Sequence, residues 1–332
     1  MIFCRVEKKT NMVPALTAAK VVIYCKKSGG NIMKKIGTGL FFIFLCTLVF
    51  TRDYSKEFMD YFKSDYRSID YRSMEKLLID WEKERPDDPE MLIGYFNYYV
   101  NRDLEMFPAM GKADDGKYYG AYLQKNFNNE DVIKGISFLD KALVKNPQRL
   151  DIHFGKCSTL LQARFYKEGI KAILDLLNTS VKVNNDWLWT NNVPIEEDGE
   201  AVLLDGINGY FAILFNNFEY VKDDLGNLAK KLEQLYPNNL ISINQTANYY
   251  SYSGNNKKAI ELLEKGHKLD KNDYIILGNL GYLYEEKKDY KAARTCYEKM
   301  LKIDNPQSKQ YAKEYLQALN KKDGQTGRSK KD

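Results

Sequence analysis

The chain has 332 residues, 44% of them hydrophobic and 13% aromatic, enough apolar material for a sizeable core and against the composition of a disordered protein. Its formal charge of +5 is unevenly spread: residues 1–35 carry eight basic and one acidic side chain and residues 321–332 five and two, which leaves residues 36–320 at about −5. A mildly acidic body argues against a nucleic-acid footprint.

In chain order, the first element is a leader. Lys34 and Lys35 precede the uncharged 15-residue stretch Ile36 to Phe50, the pattern of a secretory signal peptide and short for a spanning helix. The spacing predicts a true start at Met33, with 1–32 a non-native upstream extension and 33–51 a signal peptide or membrane anchor. Beside the plain alternative of a buried hydrophobic helix, three export fates stay open: cleavage after Val49-Phe50-Thr51, retention as an anchor, or lipidation at Cys46, although Ile43-Phe44-Leu45 lacks the small residues of a lipobox. Each leads to the same expectation, an exported protein that is periplasmic or anchored to the cell membrane.

From residue 54 to 320 the pattern is helical. Gly and Pro together number 29, placed mostly as punctuation, which favours helices joined by short turns. "MEKLLIDWEKERPDDPEMLIGYFNYYV" predicts helix, proline turn, helix around Pro86 and Pro89, with Leu77, Leu78 and Trp81 on one stripe. "FLDKALVKNPQRLDIHFGKCSTLLQARFYKEGIKAILDLL" predicts another helix ending at Pro147 and a new unit from Leu150, and "LAKKLEQLYPNN" ends a unit at Pro237. Two segments interrupt this sequence, 101–128 and 183–199, and insertions in solenoids map to loops that frequently carry binding. The second holds Trp187 and Trp189, two of the three tryptophans. Packing against a neighbouring helix pair and anchoring a partner are both open for them.

Placing 240–273 above 274–307 gives a 34-residue period without a gap. In the second copy Leu280-Gly281, Tyr284, Asp289-Tyr290, Ala293, Tyr297 and Pro306 recur in a fixed pattern; Ala247, Tyr250, Gly254, Ala259, Leu263 and Gly266 hold the matching places in the first. This pattern resembles the tetratricopeptide repeat, an antiparallel pair of helices, A and B, per unit. The resemblance implies an all-α, right-handed α-solenoid of helix pairs, with Ala247, Ala259, Gly281 and Ala293 at the small positions where A and B cross. It also casts Cys157 and Gly169 in those positions of an earlier, degenerate unit, with Ile173 and Leu177 facing inward. "SKQYAKEYLQALNKK" then acts as a C-terminal capping helix, burying Tyr311, Tyr315 and Leu319 while Lys309, Lys313 and Glu314 face water. Residues 321–332 are expected to form a disordered basic tail.

Function follows from the same resemblance. In the family helix A lines a concave groove, and one subfamily grips a peptide carboxylate with lysine, asparagine and arginine side chains at places that here carry Asn244, Asn248, Asn279, Lys309 and Lys313. Asn244 departs from the pattern, which has lysine there. With Tyr252, Tyr282, Glu285 and Glu286 these residues define the expected groove for a peptide or protein partner; packing and solvation are their competing roles.

Catalysis has little support in the sequence. His153 and His267 lack ligand-spaced neighbours, no nucleophile-elbow, zinc or phosphate-loop motif is present, and Cys157 and Cys296 read as buried hydrophobes. No cofactor or metal is expected. The reading is therefore a non-catalytic protein–protein interaction scaffold of the cell envelope. The alternative is an enzyme or ligand-binding protein using acids of the two insertions, Asp114, Asp115 and Glu196.

Overall fold

The computed structural model describes residues 52–63, 69–112 and 118–328. The leader, including 36–50 and Cys46, and the Asp114–Asp115 pair lie outside these residues. Helices α1 (Tyr54–Tyr61) and α2 (Tyr71–Glu84) form the first pair. α3 (Pro89–Arg102) and α4 (Asn129–Lys145) form the second, α5 (Leu150–Gln162) and α6 (Tyr166–Lys182) the third, α7 (Gly199–Asn216) and α8 (Phe218–Leu235) the fourth. α9 (Leu240–Tyr252) with α10 (Asn256–Leu269), and α11 (Tyr274–Glu286) with α12 (Tyr290–Lys302), are the two regular pairs, and α13 (Pro306–Arg328) closes the array. Consecutive helices pack on each other except at the second insertion, where α6 packs on α8 and α5 on α7; along the A-helix row α7 meets α9, α9 meets α11 and α11 meets α13. This is the all-α solenoid that the sequence pattern implies.

The boundaries have local causes. Asn239 and Asp273 accept hydrogen bonds from the first free N–H groups of α9 and α11, and Asn255 and Asp289 do the same for α10 and α12. Asp70, Asp88, Asn128 and Asp198 cap α2, α3, α4 and α7. The turn from A to B is reached through one left-handed residue in three pairs: Arg164, Gly254 and Lys288. In each, the next N–H bonds back to a carbonyl five residues earlier, as in Asn255 to Tyr250 and Asp289 to Tyr284, which satisfies the open helix end.

Close packing follows from the small positions. Ala247, Ala259 and Ala293 are buried, and a Cβ added at Gly281 would stand 2.3 Å from the Tyr297 ring, so only glycine lets α12 approach α11 there. Cys157, Ile173 and Leu177 are buried as expected. The apolar interior falls into two clusters that divide within α9: Ile241 belongs to the N-terminal one and Ile243 to the C-terminal one. Aromatic stacks thicken the N-terminal cluster, among them Tyr54–Trp81 at 5.7 Å and Tyr95–Phe138 at 4.6 Å between ring centroids.

Two expectations are corrected. Helix α13 runs eight residues into the segment assigned to a disordered tail; Lys322 on that extension pairs with Glu285 at 2.8 Å, a contact that holds it to α11. The insertions are not plain loops. The first, within the second pair, is an antiparallel ribbon of β1 (Glu105–Lys112) and β2 (Tyr118–Asn126). The second, between the third and fourth pairs, is a short hairpin of β3 (Leu188–Trp189) and β4 (Val193–Pro194).

Candidate functional site

The A helices of the C-terminal half carry amides on facing turns, and the fold uses them internally. Asn279 on α11 donates to Asn244 on α9 at 2.7 Å. Asn248 donates to Gln245, which in turn donates to Asn208 on α7. All five amides are buried, forming a polar seam from α7 to α11. Buried amides must be bonded, and bonding across helices fixes the stacking register. Of the two roles open to Asn244, Asn248 and Asn279 the structure shows packing: Asn279 and Asn244 bond across α11 and α9, and Asn248 bonds to Gln245 on its own helix. Lys309 pairs with Asp304 at 3.1 Å, and Lys313 remains exposed.

What the row of A helices still offers is aromatic. Tyr252 is 43% exposed, its ring stacked on Phe215 at 4.8 Å and beside Phe218 at 5.3 Å. Tyr282 is half-buried one unit further on, and its phenol pKa is raised by burial and then by Glu286, with Tyr252, Lys322 and Glu285 also within electrostatic range. Glu285 accepts from Lys322 and from the hydroxyl of buried Tyr297, so its charge is neutralised, whereas Glu286 is exposed. The surface is thus a tyrosine platform, Tyr252 supported by Phe215 and Phe218, with Glu286 beside Tyr282.

The second insertion is bound into the array. Trp187 is 3% exposed and meets the His153 ring edge-on at 5.9 Å. A partner could not reach it, so of its two open roles Trp187 takes packing against the neighbouring helices. Trp189 is half-buried against Phe154 at 6.3 Å. Between them and the array lies Arg149, fully buried, with its guanidinium held by both oxygens of Asp151 at 2.9 Å and by Glu90 at 2.8 Å. Burial by itself would lower the Arg149 pKa, but the bonds to Asp151 and Glu90 win and raise it. The same carboxylates take the hairpin: Asn191 N–H donates to Glu90 and Thr190 to Asp151, while Arg149 reaches Asn192 at 3.4 Å. Leu188 donates to the Gln148 carbonyl and bridges to Arg149.

This explains the asparagine-rich sequence. Asn184, Asn185, Asn191 and Asn192 all adopt left-handed backbone, which asparagine tolerates better than other non-glycine residues. Sequence reading missed Arg149; its only signal is a lone arginine immediately before the apolar start of a helix, in "NPQRLDI".

Of the acids of the alternative reading, Asp114 and Asp115 lie outside the described residues. Glu196 and Glu197 are exposed, and Asp198 caps α7. Among the described residues no group of three or more His, Cys, Asp or Glu stands in a metal-holding arrangement. His153 shares its Nε2 with the Pro147 carbonyl at 3.0 Å, and His267 meets Lys299 at 2.9 Å. Burial pushes the Cys157 thiol up to about 12 and the Cys296 thiol up to about 11, which leaves both as inert apolar groups. No helix among the described residues is long and apolar enough to cross a membrane.

The tetratricopeptide repeat family model matches residues 274–307, the second of the two regular units. No curated protein matches the chain. Among solved structures it is similar to YrrB, described as a TPR protein with an unusual peptide-binding site, at 15% identity over 71% of this chain and 97% of that one, TM-score 0.37. It is also similar to MamA, at 16% identity over 54% and 92%, TM-score 0.37, and to a tetratricopeptide repeat protein from Parabacteroides merdae, at 12% identity over 80% and 82%, TM-score 0.34. None of these likenesses is close enough to carry residues or ligands across.

Proposed function

We propose that this array of tetratricopeptide helix pairs is a non-catalytic scaffold of the cell envelope that binds a peptide or protein partner along its A helices. Helical-repeat arrays stack short units into extended surfaces, and such surfaces are what these proteins use for recognition. The observation that carries the reading is the Tyr252 and Tyr282 platform: two tyrosines in neighbouring units, Tyr252 stacked on Phe215 and exposed, Tyr282 half-buried. Rigid aromatic side chains of this kind lose little conformational freedom on binding and suit interface hot spots. The apolar stretch 36–50 and its lysines support export or membrane attachment as the setting.

Affinity capture of the full chain from detergent-solubilised cells, with mass spectrometry of both the bound protein and the mature N-terminus, tests binding and export together. Tyr252→Ala and Tyr282→Ala should each reduce capture at least tenfold while costing only roughly 1 kcal/mol of stability, since a hot-spot aromatic contributes about 2 kcal/mol or more to binding. Capture indifferent to both substitutions would move the partner off this surface, and an N-terminus at Met1 with cytoplasmic fractionation would remove the envelope setting.

A further inference from the structure

The β1–β2 ribbon is paired with itself alone. Neither strand packs more than marginally on any described helix, and among the described residues the sheet has two strands and therefore two edges. A two-stranded ribbon is marginal in water and gains stability from a third or fourth strand. The two edges are chemically different. Pro108 stands opposite Leu123 at the centre of β1. A proline has no N–H, so it sits in a strand where its nitrogen faces outward, away from the partner strand. This sets the alternation: Met106, Pro108 and Met110 turn their backbone groups to the outer edge of β1, and Lys125, Leu123 and Ala121, opposite them, do so on β2. The β1 edge is interrupted at its middle by the missing donor. The β2 edge is intact.

The outward set on β2 is symmetric about Leu123. We infer that β2 is the dimer contact of this protein, pairing antiparallel with β2 of a second copy across a two-fold axis at Leu123 to make a four-stranded sheet. In that register Leu123 faces its own copy and Ala121 faces Lys125, so the outward groups of all three residues are used, in about six hydrogen bonds. Lys125 meets alanine rather than another lysine, so no like charges oppose. The outer strands of the resulting sheet are both β1, with Pro108 on each free edge, and growth stops at four strands instead of continuing into a fibre.

The register makes a specific test. Paired residues that exchange both hydrogen bonds have Cα atoms about 5.5 Å apart, within disulfide reach. The copies of Lys125 are four residues out of step, about 13 Å apart. In the full chain with Cys4, Cys25 and Cys46 changed to Ser, Leu123→Cys should give a covalent dimer under mild oxidation and Lys125→Cys should not. Sedimentation of the unmodified chain should show mass rising from one copy to two with concentration, and Leu123→Pro, which removes the central outward donor, should hold it at one copy. Mass of a single chain at every concentration overturns the inference, as does equal cross-linking at 123 and 125. A dimer that survives Leu123→Pro and does not cross-link at 123 places the contact elsewhere, and a monomer whose β2 edge pairs with an extended peptide of another protein gives the edge a different occupant.

Discussion

The two insertions begin from similar material and end in opposite relations to the array. Residues 183–199 form a hairpin of two-residue strands, yet Trp187, Arg149, Glu90 and Asp151 bind it to two helix pairs. Glu105–Lys112 and Tyr118–Asn126 form a ribbon of eight- and nine-residue strands that packs no more than marginally on any described helix. Regular secondary structure therefore does not measure integration. What integrates the second insertion is a buried anchor, Arg149 with Trp187, whose removal leaves charge or volume uncompensated.

The largest effect should come from that anchor. Arg149→Ala strands two carboxylates without their counter-charge and should destabilise the protein by about 3–5 kcal/mol in denaturant unfolding, while Arg149→Met loses less only if the carboxylates become solvated. A loss below about 1 kcal/mol would mean that the hairpin is held by its backbone bonds instead. Trp187→Ala should cost a similar amount, about 3–5 kcal/mol. Trp187→Phe should recover most of it, because the Trp187 Nε1 makes no hydrogen bond among the described residues. Trp189→Ala, losing an edge contact with Phe154 at a half-buried site, should cost roughly 1 kcal/mol. If the two tryptophans prove equal, their division into core and rim fails.

Gly199→Ala tests the exit of the hairpin. The new Cβ would meet the Asn185 carbonyl oxygen at 2.1 Å, so the backbone must shift, at about 1–3 kcal/mol. The ribbon supplies the contrast: substitutions on its β2 edge should leave thermal stability nearly unchanged and alter self-association alone.

The smallest effect is a pH slope. Burial lowers the His153 pKa below its ordinary 6.5, so the folded protein keeps the ring neutral where the unfolded chain takes up a proton. Its contribution is complete above the unfolded pKa and is lost as pH falls from about 6.5 to the folded value, by at most about 1.4 kcal/mol per pH unit. His267 is lowered too, first by burial and then by Lys299, and adds a slope of the same sign. The difference between the unmodified chain and His153→Phe isolates His153; identical urea midpoints against pH in both would remove it from the account.

Much of the array is legible in the sequence because its determinants are local and periodic. The caps at Asn239, Asp273, Asn255 and Asp289 stand 34 residues apart pair by pair, and small residues fall where helices cross. The candidate site was less legible. Asn244 and Asn279 occupy positions compatible with holding a peptide, and nothing in a one-dimensional pattern tells an amide aimed at a ligand from one aimed at the next helix, since both serve the same hydrogen-bonding need. The ribbon was hidden for a related reason: "NRDLEMFPAMGKADDGKYYGAYLQKNFN" lacks clean apolar–polar alternation, and its strands are defined by pairing with each other.

By itself, then, the sequence determined the repeat, its period, its caps and its small-residue contacts, because these rest on interactions within some three dozen residues. The tertiary structure decided where the amides, Arg149 and Trp187 point. Those side chains find their partners on helices as many as 59 residues away, as Arg149 does in Glu90, and such pairings form only once the units have stacked.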